Sequence, residues 1–280
     1  MTNDINQGWI DSHFHYWRVS RGDYPWMPKD GPLRRDHLPA ELRKLSAETG
    51  VVGNILVQAA PTVNETEYLL GIADASPEVL GVVGWVDMED GSFSDLQRFT
   101  DNEKFVGIRP MIQDIDDDAW ITRPSVFSSL KELARVGLSF DLLCNPRHLE
   151  YAVPVLKRVP ELRVVVDHLA KPDYRNLDDD WRKWMGRLAA MPNVACKVAG
   201  LVSEAGTSWR NADFTSHIDV VLDQFGPDRL MIGTDWPVLN GVASYTEVVE
   251  LYEQIFQGLS PSEKAAIWSK TAVRSYGLVT

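Results

Sequence analysis

The chain has 280 residues, 44% of them hydrophobic, with a formal charge of −12 at pH 7 and a pI near 4.9. That length supports a sizeable core and is ordinary for one closed α/β domain over residues 1–280. The acid excess argues against nucleic acid or an anionic membrane as partner, and no apolar run approaches a membrane span, so a small molecule is the expected partner.

Met1 to Gln7 is polar rather than signal-like, which points to the cytoplasm. Trp9-Ile10-Asp11-Ser12-His13-Phe14-His15 follows. Ile10, Ser12 and Phe14 alternate with Asp11, His13 and His15, so a strand here sends both imidazoles to one side. They either chelate one ion or serve as hydrogen-bonded core residues. Tyr16 to His37, rich in Pro, Gly, Arg and aromatics, has no periodicity and reads as a lid. Trp26 and Arg34 or Arg35 are its candidates to touch substrate, the arginines being equally readable as solvated surface groups.

Leu38 to Thr49 predicts a helix ended by Gly50. Apolar runs and amphipathic segments then alternate. Strands are predicted over Val51–Ala59, Leu80–Val86, Phe105–Met111, Gly137–Leu143, Leu162–Asp167, Val194–Val198 and Leu230–Gly233. Helices are predicted over Glu65–Ala75, Ser92–Asn102, Ser125–Val136, Leu149–Arg158, Trp181–Ala190 and Phe214–Phe225, before closing helices Tyr245–Phe256 and Ser262–Tyr276. The closing pair is suited either to cap the domain or to meet a second subunit. Cys144 and Cys196, the only cysteines, end apolar runs and imply neither a disulfide framework nor a thiolate zinc site.

Eight Val/Ile/Leu-rich runs, each followed by a helix, predict parallel strands covered on the outside, and hence a (β/α)8 TIM-type barrel with a long lid after strand one and an extra C-terminal helix. An open doubly wound sheet would carry a glycine-rich phosphate loop after its first strand, where this chain has Ser12-His13-Phe14-His15. In a barrel the C-terminal strand ends share one pocket. They offer His13 and His15, Gln58, Trp85 and Asp87, Arg109 with Gln113 and Asp114, Asp141, His168 with Lys171, Lys197, and Asp235. Asp141 and Lys197 are equally able to pair with each other. His37, His148 and His217 lie in loop or helical contexts and read as surface or capping residues.

Asp11-Ser12-His13-Phe14-His15, Val166-Asp167-His168-Leu169-Ala170-Lys171-Pro172 and Gly233-Thr234-Asp235-Trp236-Pro237 resemble motifs of the amidohydrolase superfamily, in its lactone-hydrolase branch. Leu56-Val57-Gln58-Ala59, Gly84-Trp85-Val86-Asp87, Gly107-Ile108-Arg109-Pro110, Cys196-Lys197-Val198-Ala199-Gly200-Leu201 and Tyr24-Pro25-Trp26 extend the resemblance, which is greatest to L-fuconolactonase-like sugar lactonases.

The resemblance implies a metal-capable set of His13, His15, His168 and Asp235, with Asp235 also holding the attacking water and acting with His168 and Arg109 in catalysis. Imidazole and carboxylate independently suit zinc or a similar divalent ion. Binuclear members place a bridging carboxylate or carbamylated lysine where strand four here ends on Arg109, so one metal at most is expected. The branch also includes members that work without metal.

Trp26, Gln58, Arg109, Asp141, Lys171 and Trp236 are the expected substrate contacts, the two indoles as flat walls for a sugar ring. The expected reaction is ring opening of an aldonolactone, such as L-fucono- or L-rhamnono-lactone, to the free acid. The alternatives are a metal-dependent decarboxylase of aromatic or dienoic acids, a lactonase of pyrone dicarboxylate or muconolactone type, and a sugar-binding barrel without catalysis.

Overall fold

A computed structural model describes residues 8–279; Met1 to Gln7, the polar segment, lie outside it. Short runs of Val, Ile and Leu form eight strands: β1 Trp9–Phe14, β2 Val51–Val57, β3 Val79–Gly84, β4 Phe105–Ile108, β5 Ser139–Leu142, β6 Arg163–Val166, β7 Val194–Val198 and β8 Leu230–Ile232. They pair in parallel and in sequence order, the arrangement of a TIM barrel. Between β8 and β1 the ring closes through two backbone bonds from the segment just past β8 to the end of β1, Asp235 N–H to His13 O at 2.8 Å and His15 N–H to Trp236 O at 2.7 Å.

The principal helices are α1 Pro39–Thr49, α2 Val63–Asp74, α3 Ser94–Phe99, α4 Pro124–Val136, α5 Leu149–Leu156, α6 Asp179–Ala189, α7 Leu201–Ala205, α8 Phe214–Phe225, α9 Tyr245–Ile255, α10 Pro261–Ala265 and α11 Thr271–Tyr276; all but the short α7 follow the predicted order. The predicted closing helix Ser262–Tyr276 is split, because a π-turn at Ala266–Lys270 separates α10 from α11. No helix among the described residues is long and apolar enough to cross a membrane.

Period-two alternation gives each strand an outward face, packed on helices, and an inward one. Ile10, Ile55, Val57, Val83, Val106, Val165, Ala195 and Met231 form an inner cluster with Ala272 and Tyr276 of α11. The last helix therefore packs against the barrel interior. Val165 and Asp167, and Ala195 and Lys197, are two residues apart, so the apolar layer is succeeded on the same face by a polar one. The lid is fastened at its base by an antiparallel bridge between Trp17 and His37. Inside it Trp17, Tyr24 and Met27 pack on Ala59 and Ala60, just past β2.

Candidate active site

His13 lies near the end of β1, and His15, Arg109, His168 and Asp235 lie just beyond β1, β4, β6 and β8, so all five reach one end of the barrel. Two of them occupy the left-handed region at non-glycine residues, His168 with φ 51° and Asp235 with φ 63°. Such conformations are unfavourable and persist where surrounding contacts over-determine them. For Asp235 those contacts begin at Asp11, whose carboxylate accepts from Thr234 N–H at 2.9 Å, Thr234 Oγ1 at 2.6 Å and Tyr245 Oη at 3.1 Å. Gly233 lets β1 approach: a Cβ there would fall 2.5 Å from His13 Cβ. Gly200 similarly makes room for His168, since a Cβ would sit 2.5 Å from its Nδ1.

Hydrogen bonds orient both imidazoles. His15 Nδ1 lies 2.8 Å from the Val57 carbonyl, which only accepts, so Nδ1 carries the proton. His15 Nε2 then faces Asp235 Oδ1 at 3.3 Å. His13 Nε2 is 3.8 Å from the same oxygen and 3.2 Å from Arg109 Nη1, which only donates. His13 Nε2 thus faces a donor, while its Nδ1 lies between the Lys197 ammonium at 3.3 Å and Asp167 Oδ1 at 3.6 Å.

Nε2 of both imidazoles and the Asp235 carboxylate consequently converge on one point. A divalent ion held tetrahedrally at about 2.0–2.2 Å needs donors spaced at roughly these separations, so His13, His15 and Asp235 fit such an ion. Arg109 would then yield its bond to His13. His168 belongs instead with His13 and Asp167, a second group of donors within 4.8 Å of one another. The expected four-residue set is thus brought together as two overlapping triads.

Burial raises the Asp235 carboxyl, but the His15 contact and the neighbouring imidazoles outweigh it and hold it well below the usual carboxylate range. Asp235 is therefore ionised at neutral pH. Burial lowers both His13 and His168, with Lys197 adding to the effect at His13, so both rings are neutral there.

Below these groups lies a sealed charge cluster. Lys197 Nζ is 2.6 Å from Asp141 and 3.1 Å from Asp167, and Arg109 is 3.5 Å from Asp167. Tyr276 Oη donates to Asp141 at 2.8 Å. The predicted Asp141–Lys197 pairing is present, spanning β5 to β7, and Asp141 lies out of a substrate's reach. Gln58 is also buried: its amide donates to Arg109 O at 2.7 Å, while its backbone carbonyl accepts from the guanidinium. Gln58 supports Arg109 and forms no part of the cavity wall.

Above the cluster opens a cavity of about 170 Å³, lined by His15, Trp26, Arg109, Gln113, Asp114, His168, Lys171, Glu204 and Asp235 among others. A larger cavity of about 610 Å³, lined by Trp9, Lys264 and Trp268, lies at the opposite end, where barrel enzymes do not place their chemistry. Trp26 is 39% exposed over the smaller cavity, with Nε1 donating to Ala59 O at 2.7 Å.

Trp236, expected as a second wall, is 0% exposed and stacks edge-on against Tyr16 and His37. The turn after left-handed Asp235 directs its ring into the core. Arg34 lines a separate surface cavity and Arg35 pairs with Glu41, so neither contacts the site. His37, His148 and His217 are buried rather than surface groups, although His148 does cap, accepting from Asn145 N–H at 3.0 Å. Trp85 and Asp87 are absent from the lining.

Two residues of the site carry little signal in the sequence. Asp167 is legible only as the final residue of predicted strand six, and its alternation with Val165 is what turns it inward. Glu204 follows Gly200 in a short helix with no pattern to mark it.

The fold and this donor set are those of a hydrolytic barrel, and the chain matches the amidohydrolase family model over residues 10–278. The chain belongs to the amidohydrolase family. Among curated relatives, it is 39% identical over 232 residues to an L-fucono-1,5-lactonase of Burkholderia ambifaria, covering 82% of this chain and 80% of that protein. It is 36% identical to an L-fucono-1,5-lactonase of Burkholderia multivorans, covering 96% of each. Among solved structures, it is similar to a Burkholderia multivorans amidohydrolase with bound zinc, at TM-score 0.91 and 34% identity, covering 97% of this chain and 100% of that one.

Proposed function

We propose that this protein is a lactonase that opens a sugar lactone to the free hydroxy acid, with residues 1–280 acting as one domain in the cytoplasm. The observation that carries the reading is the ionised Asp235 carboxylate facing Nε2 of both His13 and His15 at the floor of a ring-sized cavity. The lactonase relatives support it, and they favour hydrolysis over decarboxylation. Two buried, unpaired thiols suit a reducing compartment. The net charge of −12 suits a small-molecule partner rather than nucleic acid.

Water held against Asp235 gives up a proton to the carboxylate as its oxygen adds to the lactone carbonyl. Arg109, anchored through Asp167 and the Gln58 carbonyl, donates to the developing oxyanion, assisted by His168. Collapse breaks the bond from the acyl carbon to the ring oxygen. Asp235 returns its proton to that departing oxygen, leaving the open-chain acid. His13 and His15, the latter oriented from behind by the Val57 carbonyl, confine the water to the attack side.

His13, His15 and Asp235 would hold a divalent ion, zinc being suited to two nitrogens and an oxygen. When bound, it would supply Lewis-acid polarisation. A panel of aldonolactones, assayed with a pH indicator with and without chelator, tests both points. Acid release confirms ring opening, its absence on every lactone overturns the assignment, and the chelator arm reports whether an ion is required.

A further inference from the structure

We propose that Glu204 sets the selectivity of this cavity, favouring uncharged polyhydroxylated lactones over lactones that carry a carboxylate. The proposal rests on the lactonase reading above and assigns a specificity role to a residue outside its chemistry.

The cavity wall carries two cationic side chains, Arg109 and Lys171, against three carboxylates, Asp114, Glu204 and Asp235. Arg109 is engaged with Asp167, His13 Nε2 and the Gln58 carbonyl, and in the reaction above it serves the oxyanion. Lys171 is the cation that remains, and its ammonium lies 2.5 Å from Glu204 Oε1. Both partners are largely withdrawn from solvent, at 15% and 29% side-chain exposure, so the pair is screened less than a surface bridge. Lys171 closes a run of four left-handed residues, His168 to Lys171, that also sets His168. The pair is therefore built onto the same backbone feature as a catalytic candidate.

A cavity of about 170 Å³ holds one sugar-sized ring. A substrate whose carbonyl meets Asp235 thus presses its ring substituents against Lys171 and Glu204. The paired side chains offer hydroxyl groups a donor and an acceptor while presenting no net charge. A carboxylate in that place meets Glu204 and Asp114 with its only available counter-ion already occupied, and like-charge apposition rejects wrong ligands effectively. Removing the Glu204 charge frees Lys171 to receive that carboxylate.

The test compares kcat/KM for a neutral aldonolactone and for a lactone of the same ring size bearing a carboxylate, in wild type, Glu204→Gln and the double variant Lys171→Met/Glu204→Gln. In Glu204→Gln the ratio of carboxylated to neutral substrate should rise roughly tenfold or more, chiefly through KM, and in the double variant it should fall back. A ratio within about twofold of wild type in Glu204→Gln, or an equal rise in the double variant, overturns the proposal.

Should Glu204→Gln lose turnover on both substrates, calorimetric binding of the open-chain dicarboxylate against the monocarboxylate decides the same point: tighter relative binding of the dicarboxylate supports the role, and unchanged preference refutes it. Failure of wild type to open any neutral lactone would remove the lactonase reading, while the binding comparison would still judge Glu204.

Discussion

Two polar layers in this barrel are built from the same kinds of side chain and do different things. In the upper layer His15, His168, Arg109 and Asp235 border the cavity, and Nε2 of His13 and of His15 converges on the Asp235 carboxylate. In the lower layer Asp141 and Asp167 face Lys197 and the flank of Arg109, two negative charges against two positive. Not every lower oxygen has a well-aligned hydrogen bond, Asp141 Oδ1 and both Asp167 oxygens among them, but the charges balance. Ligand-type atoms converging beside open space mark the reactive layer. Charge balance away from it marks the layer that holds the reactive one in register.

The contrast breaks most severely at Lys197. Lys197→Met strands two buried carboxylates, and urea unfolding should report a loss of about 3–5 kcal/mol. A loss under about 1 kcal/mol would mean that the lower layer is not structural. Asp235→Asn attacks the upper layer alone: kcat should fall by a factor on the order of 10² or more with the melting temperature nearly unchanged. Wild-type turnover in that variant removes Asp235 as the base.

Glu65 sharpens the comparison from outside both layers. Buried beneath the lid, it accepts from Tyr24 Oη at 2.9 Å and Ala59 N–H at 3.2 Å, with Arg21 at 3.3 Å, yet burial outweighs these and pushes its carboxyl up to about 7. A folded value above the ordinary one means that the fold favours the protonated acid. Its contribution is complete below about pH 4.5 and declines as pH rises through about 7, by about 1.4 kcal/mol per unit at most. Denaturation curves across that window should slope downward in wild type and flatten in Glu65→Gln; parallel slopes would exclude the effect. The smallest change is Tyr276→Phe, which deletes one donor to Asp141 and should cost about 1 kcal/mol in the same assay.

Periodicity made the barrel legible before any coordinates. Each Val/Ile/Leu run became a strand, and β7 occupies the predicted residues Val194–Val198. The same period of two placed His13 and His15 in one site, their rings 5.0 Å apart. It ceased to guide where the backbone leaves the strand. His168 to Lys171 and Asp235 turn left-handed, so the direction of Trp236, buried rather than facing a ligand, could not follow from counting. Asp141 and Gln58 failed as expected substrate contacts because strand-end position alone does not distinguish the cavity's wall from its foundation. Lys171, Arg109 and Trp26 do line the cavity, each on an element that continues past its strand toward the opening.

The bond from Thr234 to Asp11 joins residues 223 positions apart, and with it the last barrel strand locks onto the first. Every imidazole of the reactive centre is synthesised well before its acid partner, and Tyr276, which braces the floor, later still. A ribosome must therefore carry synthesis past Asp235 before hydrolysis can start, and chains terminated ahead of it would be inert.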